Sequence, residues 1–185
     1  KYFGPVVANE NISFSLGKGE VVALLGENGA GKTTLMSILF GHYVADGGSV
    51  TVFGKKLLPG SPRAALEAGV GMVHQHFTLA ENMRVLDNIV LGTESLAAFK
   101  STPRAAENKL GRLMERFGLT VNPKALVRDL SVGEQQRVEI LKVLYRNAKI
   151  LILDEPTAVL TPQESDRLFE TIAQLVKEGL SVIFI

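Results

Sequence analysis

The stretch from Gly26 to Thr33, GENGAGKT, restricts the fold of this chain more than any other feature. It follows the apolar run EVVALLG, which predicts a buried strand that ends at Gly26. It precedes TTLMSILFG, whose apolar spacing predicts a helix that ends at Gly41. The pattern G-x-x-x-x-G-K-T between a strand and a helix indicates a loop that binds phosphate.

Glycines suit such a loop for a physical reason. A loop with few Cβ atoms can turn its backbone N–H groups toward phosphate oxygens, and the N-terminus of the following helix adds positive potential. In this pattern the lysine lies against the β and γ phosphates, the first threonine holds Mg²⁺, and the second threonine adds a phosphate contact. A plain glycine-rich turn is the structural alternative. The residues expected at the phosphates are Gly26, Asn28, Gly29, Ala30, Gly31, Lys32, Thr33 and Thr34.

An acidic pair follows a second apolar run, ILILDEPT. Asp154 at the end of this predicted strand would support Mg²⁺ directly or through water, and Glu155 would face the γ-phosphate as a general base or water-orienting group. Two carboxylates before a turn can also be ordinary capping acids. Their combination with the phosphate loop favours catalysis, with Glu155 and Lys32 as catalytic residues and Asp154 and Thr33 as Mg²⁺ ligands.

The third motif is LSVGEQQRVEI. Ser131 as N-cap and Glu134 three residues later predict a capping box at the start of a helix. A helix that begins with Ser131 and flexible Gly133 also offers free N–H groups to an anion. Two anion-binding helix starts in one chain, one with a lysine and one without, suggest a nucleotide held between two copies.

These motifs and their order resemble those of the ABC-type ATPases, in which LSVGEQQ is a variant of the commoner L-S-G-G-Q signature. The resemblance covers essentially the whole chain and implies ATP and Mg²⁺ as cofactors. It implies that Gln75 in MVHQHF contacts Mg²⁺, takes part in catalysis and couples the nucleotide state to a helical subdomain. Phe3 is similar to the aromatic residue that stacks on adenine. The residues implied at the γ-phosphate held by the partner domain are Ser131, Gly133 and Glu134.

The alternation of short apolar runs with helical patterns predicts an α/β fold with a largely parallel sheet. With the resemblance, the expected fold is a P-loop NTPase core with an N-terminal antiparallel β portion. Residues 79–130 read as helices and predict an inserted helical subdomain. Residues 1–185 are expected to form a single ABC-type ATPase domain, truncated at both ends because the chain opens within a patterned segment and closes in LSVIFI.

The resemblance implies an ATPase subunit that powers a membrane transporter from the cytoplasmic face of the cell membrane. Its implied partners are a second ABC ATPase domain, either in a head-to-tail dimer or as a fused half of the same chain, membrane permease subunits and, for an importer, a substrate-binding protein. The sequence HQHFTLAENMRVLDNIVLG is most similar to that of bacterial proteins for nucleoside or simple-sugar uptake. Two departures stand out. Thr161 occupies a position where the family usually has Asp, and the family's switch histidine would follow Ile185, so the chain alone should hydrolyse ATP poorly.

Composition and motif spacing limit the other functions that this chain could have. The net charge of +1 provides no field for nucleic acid, so no nucleic-acid partner is expected. The chain has no cysteine, which excludes disulfides and zinc–thiolate sites, and its apolar runs are far shorter than the roughly 20 residues of a membrane helix. A non-transport ABC ATPase acting on DNA or ribosomes shares every ATP-site motif and stays open. A GTPase switch would need an N-K-x-D motif, which RNAKILIL does not supply.

Overall fold

The computed structural model describes residues 1–93 and 103–185. In chain order, the strands in these ranges are β1 (Tyr2–Phe3), β2 (Val6–Val7), β3 (Val21–Ala23), β4 (Thr51–Val52), β5 (Lys55–Lys56), β6 (Val70–Val73), β7 (Ile150–Leu153) and β8 (Ser181–Phe184). The helices are α1 (Lys32–Phe40), α2 (Pro62–Glu67), α3 (Val85–Val90), α4 (Pro103–Phe117), α5 (Val132–Tyr145) and α6 (Pro162–Lys177), with a 3₁₀ turn at Val127–Asp129.

Four strands form the parallel sheet that the alternating pattern predicted. Their order is β3-β8-β7-β6, and every neighbouring pair is parallel. Two separate antiparallel pairs, β1 with β2 and β4 with β5, accompany this sheet. The predicted α/β class and the N-terminal antiparallel portion are therefore confirmed.

The prediction for the first sheet strand was wrong in length and burial. Strand β3 ends at Ala23 rather than at Gly26, and Val21 keeps 46% of its surface exposed. The reason is its position at the sheet edge, where it pairs with β8 alone. One further hydrogen bond, from Leu24 N to Phe184 O, continues the ladder before the phosphate loop begins.

Local capping signals mark the ends of the helices. Helix α1 ends at Gly41 in the left-handed conformation, with φ of 88°. Ser61 caps α2 through its hydroxyl, which accepts a hydrogen bond from Ala64 N. The N-caps of α5 and α6 are Ser131 and Thr161, and each closes a capping box with a glutamate three residues later.

The sheet is buried on both faces by helices. Leu151 and Leu153 of β7 pack with α3, α4, α5 and α6, whereas Ile152 between them packs with Met36 of α1 and Ala65 of α2. Successive strand residues point to opposite faces, so a continuous apolar run is what a strand covered on both sides requires. Each fully buried Leu or Ile contributes about 1.5–3 kcal/mol to folding. The sheet is thereby a rigid base for the loops at its carboxyl edge.

The described part of residues 79–130 is helical, as predicted. It contains α3, α4 and the 3₁₀ turn, and its only strand-like pairing there is a single bridge between Arg84 and Leu126. Residues 94–102 of the predicted insertion lie outside the described residues. Within the described ranges, no helix combines the length and the apolarity that a membrane span requires.

Candidate nucleotide site

Three loops at the carboxyl edge of the sheet carry most of the predicted site residues. The phosphate loop follows β3, Gln75 follows β6, and Asp154 and Glu155 follow β7. Because the strands are parallel, all three loops leave the sheet at the same edge, which is where open α/β sheets bind ligands. Residues far apart in the sequence are thus brought to one place.

The phosphate loop needs glycine at Gly31. Its φ is +87°, and a Cβ there would overlap the carbonyl oxygen of Ala8 and lie 2.7 Å from Asn9 Nδ2. Gly29 has φ of +84° with open space around it. Asn9 lies beneath the loop at 8% exposure and donates from Nδ2 to Gly31 O at 3.1 Å. Sequence reasoning missed Asn9, because no local pattern links it to a loop 22 residues later.

We expect Gly31→Ala to disrupt this loop. Alanine at positive φ costs about 1–2 kcal/mol, and the overlap with Ala8 adds to that cost, so thermal unfolding should shift to lower temperature and ATP affinity should fall. Gly111→Ala in α4 is the matched control, because a Cβ there meets open space. It should keep the affinity and match or exceed the wild-type stability. Wild-type affinity and stability in Gly31→Ala would contradict this description of the loop.

Lys32 lies over its own loop. Its Nζ donates to Gly26 O at 2.7 Å and to Glu27 O at 3.0 Å. The exposed residues Asn28 and Ala30 lie in the same turn, where Ala30 N donates to Glu27 O. Thr34 is half-buried one position after Thr33 in the first turn of α1. The Lys32 ammonium group therefore lies next to the backbone of the loop that precedes α1.

Thr33 and Asp154 are in contact although 121 residues separate them in sequence. Thr33 Oγ1 donates to Asp154 Oδ1 at 3.4 Å. Burial raises the pKa of Asp154 above its ordinary value, with a smaller raising effect from Glu155, while the Thr33 hydrogen bond acts in the opposite direction. A buried carboxylate beside a hydroxyl is a pair of oxygen donors suited to Mg²⁺.

Gln75 and Glu155 are also in direct contact. Gln75 Nε2 donates to Glu155 Oε2 at 2.6 Å, across 80 residues of sequence. Glu155 has φ of +43°, an unusual conformation for a residue with a side chain, and its N–H donates to Ile185 O at 2.9 Å. Strain of this kind persists where the surroundings impose it. The hydrogen bond to the end of the sheet and the contact with Gln75 hold Glu155 in place.

The start of α5 is closed by its own capping box. Ser131 Oγ accepts from Glu134 N at 3.3 Å, and Glu134 Oε2 accepts from Ser131 N at 2.9 Å. Gly133 is buried, and a Cβ there would lie 2.7 Å from Glu164 Oε1 of α6. The predicted signature residues therefore lie together at the start of α5, with the Glu164 carboxylate against them. The expectation of free N–H groups there was wrong for Glu134 and Gly133, whose N–H groups donate to Ser131 Oγ and to the Glu164 carboxylate.

The charge of Glu164 should stabilise the fold. Hydrogen bonds from the N–H and hydroxyl of Thr161, and then from the Gly133 backbone, lower its pKa below the ordinary 4.5. The stabilisation is therefore present above pH 4.5 and is lost as pH falls through the lowered pKa.

We expect Glu164→Gln to melt at lower temperature than the wild type at neutral pH, with the difference shrinking below pH 4.5. Thermal unfolding at a series of pH values measures it. Glu115→Gln, on the exposed side of α4, is the control and should show no such trend. A pH-independent difference for Glu164→Gln would contradict the proposed charge effect.

Phe3 lies in β1 and remains 43% exposed. Its ring meets Tyr43 edge-on, with the centroids 5.5 Å apart, and Lys1 Nζ lies 5.4 Å from the ring centre. The neighbouring Tyr2 is engaged elsewhere, because its hydroxyl donates to Glu10 Oε1 at 2.9 Å. Both rings are exposed, Tyr2 to 46%, and the role of Phe3 toward adenine stays a prediction.

Comparison with known proteins decides the family. A family model described as ABC transporter matches residues 9–158. The chain belongs to the ABC transporter family. It is 53% identical over 185 residues to the nucleoside import ATP-binding protein NupA of Lactococcus lactis, covering all of this chain and 37% of NupA.

Two further relatives of this ABC family member import different solutes. It is 50% identical over 183 residues to the guanosine import ATP-binding protein NupO of Bacillus subtilis, covering 99% of the chain and 36% of NupO. It is 46% identical over 186 residues to a ribose import ATP-binding protein, RbsA, of Caldanaerobacter subterraneus, covering 100% of the chain and 38% of RbsA. The chain thus spans little more than a third of the length of these relatives.

A solved structure supports the fold assignment. The ADP conformation of MJ1267, described as an ATP-binding cassette of an ABC transporter, superposes with a TM-score of 0.88 at 28% identity. The match covers all of this chain and 77% of that one. The predicted family and the P-loop NTPase fold are confirmed.

The site residues are chemically suited to bind phosphate and Mg²⁺. The phosphate loop leaves no room for a Cβ at Gly31, and Lys32 places its ammonium over the exposed backbone between Gly26 and Ala30. Thr33 and Asp154 offer the oxygen ligands that Mg²⁺ prefers.

Proposed function

We propose that this chain is an ATP-binding and ATP-hydrolysing domain that powers uptake of nucleosides by an ABC importer. The observation that carries the proposal is the convergence of Lys32, the Thr33–Asp154 pair and the Gln75–Glu155 pair at one edge of the sheet. Phosphoryl transfer is accelerated mainly by positioning and by charge stabilisation, and these residues supply both.

Each group has a distinct task in this proposal. The backbone of the phosphate loop and Lys32 bind the β and γ phosphates of ATP, and Thr33, Asp154 and Gln75 would hold Mg²⁺. Bound Mg²⁺ would neutralise part of the charge on the phosphates. Glu155 orients the attacking water and accepts its proton. Phe3 stacks on the adenine ring.

A second ABC ATPase domain completes the site. In this arrangement the start of α5, with Ser131, Gly133 and Glu134, faces the γ-phosphate bound to the partner domain. Residues 79–130 serve as the helical subdomain that follows the nucleotide state through Gln75. ATP closes the two domains head to tail, and hydrolysis allows them to separate.

The transport assignment draws on the relatives. NupA and NupO import nucleosides and are 53% and 50% identical, whereas the ribose importer RbsA is 46% identical. Nucleosides are therefore the proposed substrate class, and simple sugars such as ribose are the second candidate. The proposed assembly also contains permease subunits in the membrane and a substrate-binding protein. In this assembly the ATPase domain lies on the cytoplasmic face of the membrane.

A pull-down of the tagged full-length protein from detergent-solubilised membranes tests the transport assignment. We expect a multi-spanning permease among the co-purifying chains, identified by mass spectrometry. The Lys124→Ala variant, changed at an exposed lysine, should recover the same partners. Recovery of ribosomes or DNA-repair proteins without a permease would overturn the transport assignment and favour a non-transport ABC ATPase.

A further inference from the structure

Helix α5 buries two polar side chains on the face that meets the sheet edge. Gln136 and Glu139 are each 4% exposed. They are three residues apart and therefore lie on the same side of the helix. Burying an amide and a carboxylate is costly unless both are hydrogen-bonded, so their partners matter.

Gln136 holds the loop that carries Glu155. Its Nε2 donates to Pro156 O at 2.6 Å, one residue after Glu155. This bond fixes the backbone immediately beyond a residue whose φ is already +43°. The amide of Gln136 thus constrains the segment from which the Glu155 side chain projects.

Glu139 holds the loop that carries Gln75. Its Oε1 accepts from Thr78 N at 2.6 Å and from Thr78 Oγ1 at 3.0 Å. Lys142 completes the cluster, because its Nζ lies 3.5 Å from Glu139 Oε2 and donates to Thr78 Oγ1 at 3.1 Å. The buried carboxylate is therefore paired with a cation and with both donors of Thr78.

These contacts close a ring, because Gln75 and Glu155 also bond each other. We propose that Gln136 and Glu139 are positioning residues: together they set the Gln75–Glu155 contact and tie its geometry to the orientation of α5. The inference rests on the proposed function, in which Glu155 orients water for ATP hydrolysis. It assigns to α5 a second task, at its buried face, beyond the γ-phosphate contact proposed for its N-terminus.

Gln136→Met in the full-length protein tests this proposal, because methionine retains the volume but removes the donor to Pro156. We expect kcat for ATP hydrolysis to fall by about tenfold, with KM and ATP affinity unchanged. Ser181→Ala is the matched control. Ser181 is 5% exposed, and its hydroxyl is hydrogen-bonded to Gly17 and Gly19 at the start of β8, at the end of the sheet away from the site. Loss of this hydroxyl should lower stability and leave kcat unchanged.

A double-mutant cycle separates positioning from a merely structural role. If Gln136 acts through the ring, its effect on kcat should be much smaller in a Gln75→Ala background, where the ring is already open. An unchanged kcat in Gln136→Met would overturn the proposal. So would an effect of the same size in both backgrounds.

Amide hydrogen exchange provides a readout that does not depend on turnover. In Glu139→Gln, which alters the contact with Thr78, we expect faster exchange at the Glu155 N–H on the other loop. Wild-type exchange at Glu155 would mean that the two loops are held independently, against the proposal. Absence of ATP hydrolysis by the wild-type full-length protein would contradict the proposed function instead, and this exchange measurement would still decide the inference.

Discussion

Lys32→Ala is expected to weaken ATP binding by about 100-fold or more. Lys32 is the cation of the phosphate loop, and its ammonium group lies over the exposed backbone of the turn that would bind the phosphates. Removing one partner of a charge-assisted hydrogen bond in a partly desolvated site typically costs about 2–5 kcal/mol. Equilibrium binding of labelled ATP to the full-length protein with Mg²⁺ present measures the change.

Two comparisons make this result specific to the phosphate loop. Lys124→Ala removes an exposed lysine and should bind ATP like the wild type. Thermal unfolding of Lys32→Ala without nucleotide should stay close to wild type, which shows that the loss is local. An affinity within about threefold of wild type would remove Lys32 from the phosphate site.

Glu155→Gln is expected to retain ATP binding and nearly stop turnover. Glutamine keeps the size of the side chain and can still accept a hydrogen bond from Gln75 Nε2, but it cannot take a proton from water. Loss of a general base typically costs about 10²–10⁴ in rate. Steady-state phosphate release and ATP binding on the same full-length preparation measure both effects.

A second consequence follows from the proposed head-to-tail pair. If Glu155→Gln binds ATP without hydrolysing it, the closed pair of domains should accumulate. Light scattering should detect an ATP-dependent dimer if the domains are on separate chains, and small-angle X-ray scattering should detect an ATP-dependent compaction if they are fused. Glu115→Gln, on the exposed side of α4, should turn over normally and form no such species. Turnover of Glu155→Gln within about twofold of wild type would exclude Glu155 from catalysis.

Local contacts were the most predictable part of the structure. The capping box at Ser131 was predicted from its residue types, because it joins residues three positions apart. The capping box at Thr161 has the same spacing. Thr161 also explains one departure from the family pattern. Where the family usually has Asp, threonine still serves as an N-cap, because its hydroxyl accepts from Glu164 N.

Contacts across the sheet were not predictable from spacing. Gln75 was assigned a role from the family resemblance and Glu155 from its place after an apolar strand, yet their mutual hydrogen bond depends on β6 and β7 being neighbours. Asn9 beneath Gly31 and Gln136 against Pro156 were missed for the same reason. The prediction that the first sheet strand ends at Gly26 was wrong for a similar reason. An apolar run does not reveal that its strand lies at the edge of the sheet.

The most direct test of the account is accumulation of labelled nucleosides in cells whose only copy of the full-length protein is either wild type or Lys32→Ala. We expect wild-type cells to concentrate nucleosides above the external level and Lys32→Ala cells to stop at that level, since ATP binding drives uptake. Equal accumulation in both strains would contradict ATP-powered import by this protein. Concentration of ribose alone would contradict the nucleoside assignment and favour the sugar candidate.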